Sequence, residues 1–164
     1  MKSATSLQDR GASLAALLGG VAMTTADGTI VNVAAPTWRR VLGAGGAEAQ
    51  LVIAAYLVTF AIGLVPAARL GDRYGFRRAY LVGLAWFALA SLACGLAGSP
   101  EALIAARAVQ GFGAALLVPQ VLTGIQRTFR GAARTRAIGR YSMALAGGAA
   151  GGHILGGLIV DANL

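Results

Sequence analysis

The chain has 164 residues, of which 57% are hydrophobic and only 12% charged, against about a quarter in soluble proteins. Its formal charge of +8 would suit nucleic acid if the basic residues lined one face, but they fall in short clusters between apolar runs, so no nucleic-acid partner is expected. One cysteine, one histidine and the lack of a Walker-type loop or a Ser/His/Asp set exclude an intramolecular disulfide, a metal set and hydrolytic chemistry, so the chain reads as no enzyme and no bound cofactor is expected.

The start, Met1 to Arg10, is short and polar. An apolar run to Pro36 follows, broken by one charge, Asp27, and gives a first span over about 12–36. A signal peptide would begin in the same way, but this run continues past any cleavage site and further spans follow. Thr37 to Glu48 reads as a glycine-containing loop with Trp38 as an interfacial anchor. Spans two and three, about 49–68 and 79–99, flank the stretch Ala68-Arg69-Leu70-Gly71-Asp72-Arg73-Tyr74-Gly75-Phe76-Arg77-Arg78. So short a connection makes them an antiparallel hairpin. A tight turn at Gly98-Ser99-Pro100-Glu101 leads to span four, about 102–125, which carries Arg107 and Pro119. A basic loop over 126–140 precedes span five, about 141–160. Each run has the roughly 20 residues that a hydrocarbon core of about 30 Å requires. The predicted fold is an all-α membrane protein with the lipid bilayer as its first partner.

Basic residues set the orientation. With the N-terminus inside, eleven lie on the inner side (Lys2, Arg10, Arg69, Arg73, Arg77, Arg78, Arg127, Arg130, Arg134, Arg136 and Arg140). Only Arg39 and Arg40 lie outside, and Arg107 is within a span. Excess positive charge in short loops belongs to the cytoplasmic side, so the N-terminus is expected inside and the end of span five outside.

Several residues stand out chemically. An acid inside a span, such as Asp27, costs about 2.5–3.5 kcal/mol on the insertion scale unless a partner or polar cavity receives it. The plain alternative is an acid close enough to the outer interface to reach water. Arg107 lies six residues past Glu101, roughly 9 Å below the start of its helix, where its long side chain can also snorkel outward. Gln110 shares its face. Tyr56 and Gln120 are polar groups that line a cavity or are satisfied within the bundle, while Cys94 and Trp86 suit packing. Asp72, just before span three, is placed to cap a helix N-terminus. Gly148, Gly152 and Gly156 recur every four residues, a spacing that lets two helices approach closely.

Four stretches carry a family resemblance. The hairpin is similar to the loop 2–3 motif of the major facilitator superfamily, Gly-x-Leu-x-Asp-Arg-x-Gly-x-Arg/Lys, through Leu70, Asp72, Arg73, Gly75 and Arg77, with Ala68 in place of the first glycine. Asp27 to Pro36 resembles the first-helix motif of the fourteen-span drug:proton antiporters, Asp-x-Thr-Ile-Val-Asn-Val-Ala-x-Pro, at every specified position, Asn32 included. Arg107 to Ala115 resembles the fourth-helix motif Arg-x-x-Gln-Gly-x-Gly-Ala-Ala. Gly152-His153-Ile154-Leu155-Gly156-Gly157 resembles the exporter motif Gly-Pro-x-Leu-Gly-Gly, with His153 where proline is usual.

The resemblance implies five helices of an N-terminal six-helix bundle, the chain being a fragment that lacks a C-terminal half or another subunit. It implies a multi-pass protein of the bacterial inner membrane that exports a small amphipathic molecule with the proton gradient as its energy source. Asp27, Arg107, Gln110, Asn32, Tyr56 and Gln120 would line the proton and substrate path. The hairpin residues would gate it, and Gly148, Gly152, His153, Gly156 and Gly157 would form the exporter interface. A non-transporting truncated protein, or a partner half of another transporter, is the alternative. An uptake carrier for sugars or organic acids fits the hairpin but not the fifth-helix motif. In the five-helix chain by itself the glycine stripe, Asp27 and Arg107 are expected to be uncovered, and Asp72 to lack its main partner, which the resemblance places on a helix of the second half.

Overall fold

The computed structural model describes residues 2–161, with side chains from Gly11 onward. Six helices follow one another: α1 Lys2–Val33, α2 Ala35–Leu42, α3 Gly46–Tyr74, α4 Phe76–Gly95, α5 Pro100–Thr128 and α6 Gly131–Asp161. No strand occurs among the described residues. Among the described residues, five segments are long and apolar enough to cross a bilayer: Gly11–Val33, Gly46–Tyr74, Phe76–Gly95, Pro100–Thr128 and Gly131–Asp161.

The spans lie where hydropathy puts them, but their ends differ. Charged residues flanking an apolar run remain good helix formers, so the helices extend past the apolar boundary into the charged clusters. The basic segment 126–140 is therefore almost wholly helical, divided between α5 and α6, with only Phe129 and Arg130 between them and Gly131 at φ 52°. The hairpin likewise narrows to a single non-helical residue, Gly75, whose φ of 91° favours a residue without Cβ. Asp72 consequently sits in the last turns of α3 instead of ahead of α4. The N-cap of α4 is Gly75, which no side chain bonds, so the capping role expected for Asp72 is not realised. The expected loop after Pro36 contains α2, ended by Gly43 in the left-handed region at φ 67°.

Helix α5 is the central post. Glycines on two of its sides admit two neighbours: a Cβ at Gly111 would lie 2.5 Å from the Tyr56 carbonyl oxygen of α3, and one at Gly113 would lie 2.8 Å from the Phe87 nitrogen of α4. Ser99 caps its start, accepting from the Ala102 N–H at 3.2 Å, with Pro100 in the first turn. Helix α1 packs on α5 and, along most of its length, on α6. A buried cluster of Leu14, Leu17, Val21, Tyr80, Leu117, Val121, Ile125 and Ala137 ties α1, α4, α5 and α6 together in one half of the bundle. Tyr80 reinforces it by donating its hydroxyl to the Ala16 carbonyl at 2.6 Å. Outer faces such as Leu57, Val58, Ile62 and Val65 on α3, and Leu81, Leu89 and Leu92 on α4, are exposed, as lipid contact requires.

The glycine stripe of α6 is covered. Gly148 faces the backbone of Ala22, Gly152 faces Ala26 and Thr29, and Gly156 faces Ile30 and Val33. This corrects the expectation that the stripe is uncovered in a five-span chain: α1 fills it, in the close small-residue contact that lipid-embedded helices use.

Candidate functional site

The second half of the bundle holds a polar network in an apolar setting. α1 presents Asp27, α5 presents Arg107 and Gln110, α3 brings Tyr56 and α4 brings Cys94. Arg107 Nη1 donates to Asp27 Oδ2 at 2.6 Å and to Gln110 Oε1 at 2.5 Å. Gln110 Nε2 donates to Asp27 Oδ1 at 2.8 Å. The three side chains therefore close a ring in which the carboxylate accepts on both oxygens. The chemistry fixes the amide orientation, because only the carbonyl of Gln110 can face the guanidinium. The Tyr56 ring covers the guanidinium, with Arg107 Cζ 4.3 Å from its centroid. The Cys94 thiol adds a contact to Gln110 Oε1 at 3.6 Å.

Burial decides between the readings of Arg107. The residue is 2% exposed, so it does not snorkel; it is held inside by a carboxylate that is itself mostly buried. Each charge is the other's partner, which corrects the expectation of unpaired groups in this chain. A buried ion pair is weak evidence for stability, since desolvation offsets its Coulombic gain.

Two of the six path candidates lie elsewhere. Gln120 is fully buried against Gly71 and donates to the Ala67 carbonyl at 3.0 Å, so it ties α5 to α3. Asn32 is exposed and bonds the Gly28 carbonyl of its own helix at 2.8 Å. Both have backbone partners, which spacing along a sequence does not reveal.

The hairpin residues form a second constellation. Asp72 Oδ1 accepts from Arg127 Nη2 of α5 at 3.0 Å, so the acid has a partner within the chain. Arg73 stacks on Tyr74 at 5.3 Å, Leu70 is exposed and Arg77 lines a cavity with Ala12, Ala16 and Tyr80. On α6, His153 is exposed, with Nδ1 2.8 Å from the Ala149 carbonyl oxygen, and Gly157 faces open space.

Sequence reasoning left out Cys94 as a network member, as well as the face of α2. Thr37, Trp38 and Val41 of that helix line a cavity together with Asp27 and Arg107. The indole Nε1 of Trp38 donates to the Val31 carbonyl at 3.3 Å, folding α2 back toward the end of α1.

Residues 17–163 match the Major Facilitator Superfamily. The chain is 41% identical, over 94% of its length, to a protein of Streptomyces coelicolor named probable actinorhodin transporter. It is 40% identical, over 91% of its length, to the tetracenomycin C resistance and export protein of Streptomyces glaucescens. It is also 40% identical, over 82% of its length, to a methyl viologen resistance protein of Salmonella typhimurium. The matched regions cover 27%, 28% and 28% of those relatives, so the chain spans about a quarter of their length. Its five apolar helices make it a multi-pass membrane protein, and with the family match over nearly all of its length it belongs to the major facilitator superfamily.

Proposed function

We propose that the chain supplies the N-terminal bundle of a proton-driven exporter of small amphipathic molecules, oriented with its N-terminus inside. The observation that carries this is the closed ring of Asp27, Arg107 and Gln110. A carboxylate accepting on both oxygens from two α5 side chains locks α1 to α5. Protonation of Asp27 discharges one partner and removes an acceptor, so it unlocks the ring and frees Arg107 and Gln110 to take new partners. The proton thereby does mechanical work between two helices, and no covalent chemistry on the cargo is needed. Alternating access moves two bundles about a site between them, so the remainder of the path comes from a second bundle. The names of the relatives, which speak of export and of resistance to antibiotics and methyl viologen, support the substrate class.

The test uses inverted vesicles energised by a proton gradient. They contain either this chain alone or this chain joined to the C-terminal part of the tetracenomycin C export protein. The joined protein should move ethidium or methyl viologen in proportion to the imposed gradient, and Asp27→Asn should abolish that movement. Movement that persists in Asp27→Asn at every gradient would remove Asp27 from the mechanism.

A further inference from the structure

Helices α1 and α4 both rest on α5 but barely on each other, and the gap between them holds a cavity of about 420 Å³. Gly124 of α5 makes the room, since Leu17 of α1 and Phe76 of α4 both reach over it and both line the cavity. Tyr80 closes the gap, because its hydroxyl bonds the Ala16 carbonyl across it. These side chains give the cavity an apolar wall, which the exposed Leu81 continues toward lipid. The rest of the lining is polar: Arg77 and Ser13, both exposed, and Thr128, the last residue of α5.

We propose that this cavity binds one anionic phospholipid, with its phosphate on Arg77 and the first part of an acyl chain along the apolar wall. Depth fits this occupant. Ser13 and Arg77 lie just inside the start of their apolar spans and Thr128 ends its own, so the polar lining sits where a bilayer carries its headgroups. Charge selects the class. The segments 1–10, 69–78 and 126–140, which flank the spans at this end, hold eleven basic residues and two acids, Asp9 and Asp72. Asp72 is taken by Arg127, and no acid among the described residues pairs with Arg77. A guanidinium grips a phosphate through paired N–H donors, and the Ser13 and Thr128 hydroxyls can donate to further phosphate oxygens. The surrounding excess of arginine repels the ammonium of a zwitterionic headgroup. An α-helix, roughly 10 Å across with its side chains, is too wide to enter a gap of this volume, whereas an acyl chain is not. The site uses none of Asp27, Arg107 and Gln110, so it stands independently of the exporter reading.

The experiment uses the purified chain in detergent micelles and counts bound lipid by native mass spectrometry. Dioleoyl-phosphatidylglycerol should occupy one saturable site, with a Kd about tenfold below that of dioleoyl-phosphatidylcholine. Arg77→Gln should raise the Kd of the anionic lipid by about tenfold. Arg134→Gln removes an exposed arginine at the same end that does not line the cavity, and should change that Kd by less than about twofold. Ala12→Trp, at an exposed position of the lining, should weaken both lipids by filling the cavity, and it serves if Arg77→Gln does not fold. Inorganic phosphate at the lipid's concentration should not compete, and competition by it would replace the lipid with a free anion and overturn the proposal. Equal losses in Arg77→Gln and Arg134→Gln, the result of a diffuse basic surface, overturn it too, as does binding unaffected by Ala12→Trp. The joined protein should show the same pattern; loss of the site there would mean that other helices cover the gap, which also overturns the proposal.

Discussion

Arg127, near the end of α5, bonds Asp72, near the end of α3, with Nη2 3.0 Å from Oδ1. The pair joins two helices that also meet through small residues, Gln120 and the Tyr56–Arg107 stack, at the end of the bundle where the basic residues cluster. Both side chains are more than half exposed, at 52% and 72%. Exposed pairs of this kind contribute about 0–1 kcal/mol, because solvent screens them and ordering them costs entropy. Asp72→Ala should therefore shift the denaturation midpoint of the chain in mixed micelles only slightly, and Arg127→Ala should do the same. In the vesicle assay with the joined protein, Asp72→Ala is expected to reduce efflux strongly. Equal damage to stability and transport would make Asp72 a local structural residue.

The α1–α6 interface offers a sharper contrast. A Cβ at Gly152 would lie 2.5 Å from the Ala26 carbonyl oxygen and would also strike the Thr29 hydroxyl, whereas one at Gly151 meets open space. Gly152→Ala should thus destabilise the chain by about 1–3 kcal/mol through overpacking. Gly151→Ala should be neutral or slightly stabilising, since alanine is the better helix former by about 1 kcal/mol. Denaturation curves of the two variants, one residue apart, check this directly. Equal midpoints would mean that α6 does not rest on α1 through this stripe.

Much of this architecture is legible in the sequence, and the reasons are physical. Twenty-residue apolar runs and the small-residue spacing on α6 declare the spans because the bilayer leaves so few alternatives. Asp27, Arg107 and Gln110 are conspicuous because polar groups inside a span need partners. What a linear reading misses is the identity of those partners. Gln120 looks like a cavity residue until the Ala67 carbonyl is seen beside it. Cys94 looks like packing until α4 brings it to Gln110. Asp72 looks like a cap because the hairpin reads longer than its single non-helical residue. α2 is invisible because eight residues, with two arginines and a proline near the start, carry no membrane signal.

Orientation rests on charge, and labelling tests it. The sequence has one cysteine, so a Cys94→Ser background is silent to thiol reagents. Single cysteines at 74 and 132 should then be shielded from an impermeant reagent added to intact cells. A cysteine at Gly98, where added bulk meets open space, should react. Position 98 serves better than Ser99, whose hydroxyl caps α5. Outside reactivity at 132 with protection at 98 would invert the topology.

The ring of Asp27, Arg107 and Gln110 yields the most discriminating prediction. Asp27 accepts from Arg107 on one oxygen and from Gln110 on the other, but asparagine has a single carbonyl oxygen. In Asp27→Asn one of the two donors must lose its acceptor, and the buried guanidinium loses its counter-charge. Breaking a buried pair from one side costs about 3–5 kcal/mol, so this variant should insert in the membrane but unfold at a lower denaturant concentration. Arg107→Leu should be milder, since Asp27 retains the Gln110 amide and is the less buried partner, with a side chain 17% exposed against 3%. The double variant Asp27→Leu with Arg107→Leu removes both charges together, and apolar replacement of a whole buried pair is often neutral or stabilising by about 1–4 kcal/mol. It should therefore regain at least the stability of the parent chain while the joined protein transports nothing. That dissociation of stability from activity is the expected signature of a pair kept for proton coupling. Three additive losses of stability would show that the pair holds the bundle together, and would leave the coupling role without support.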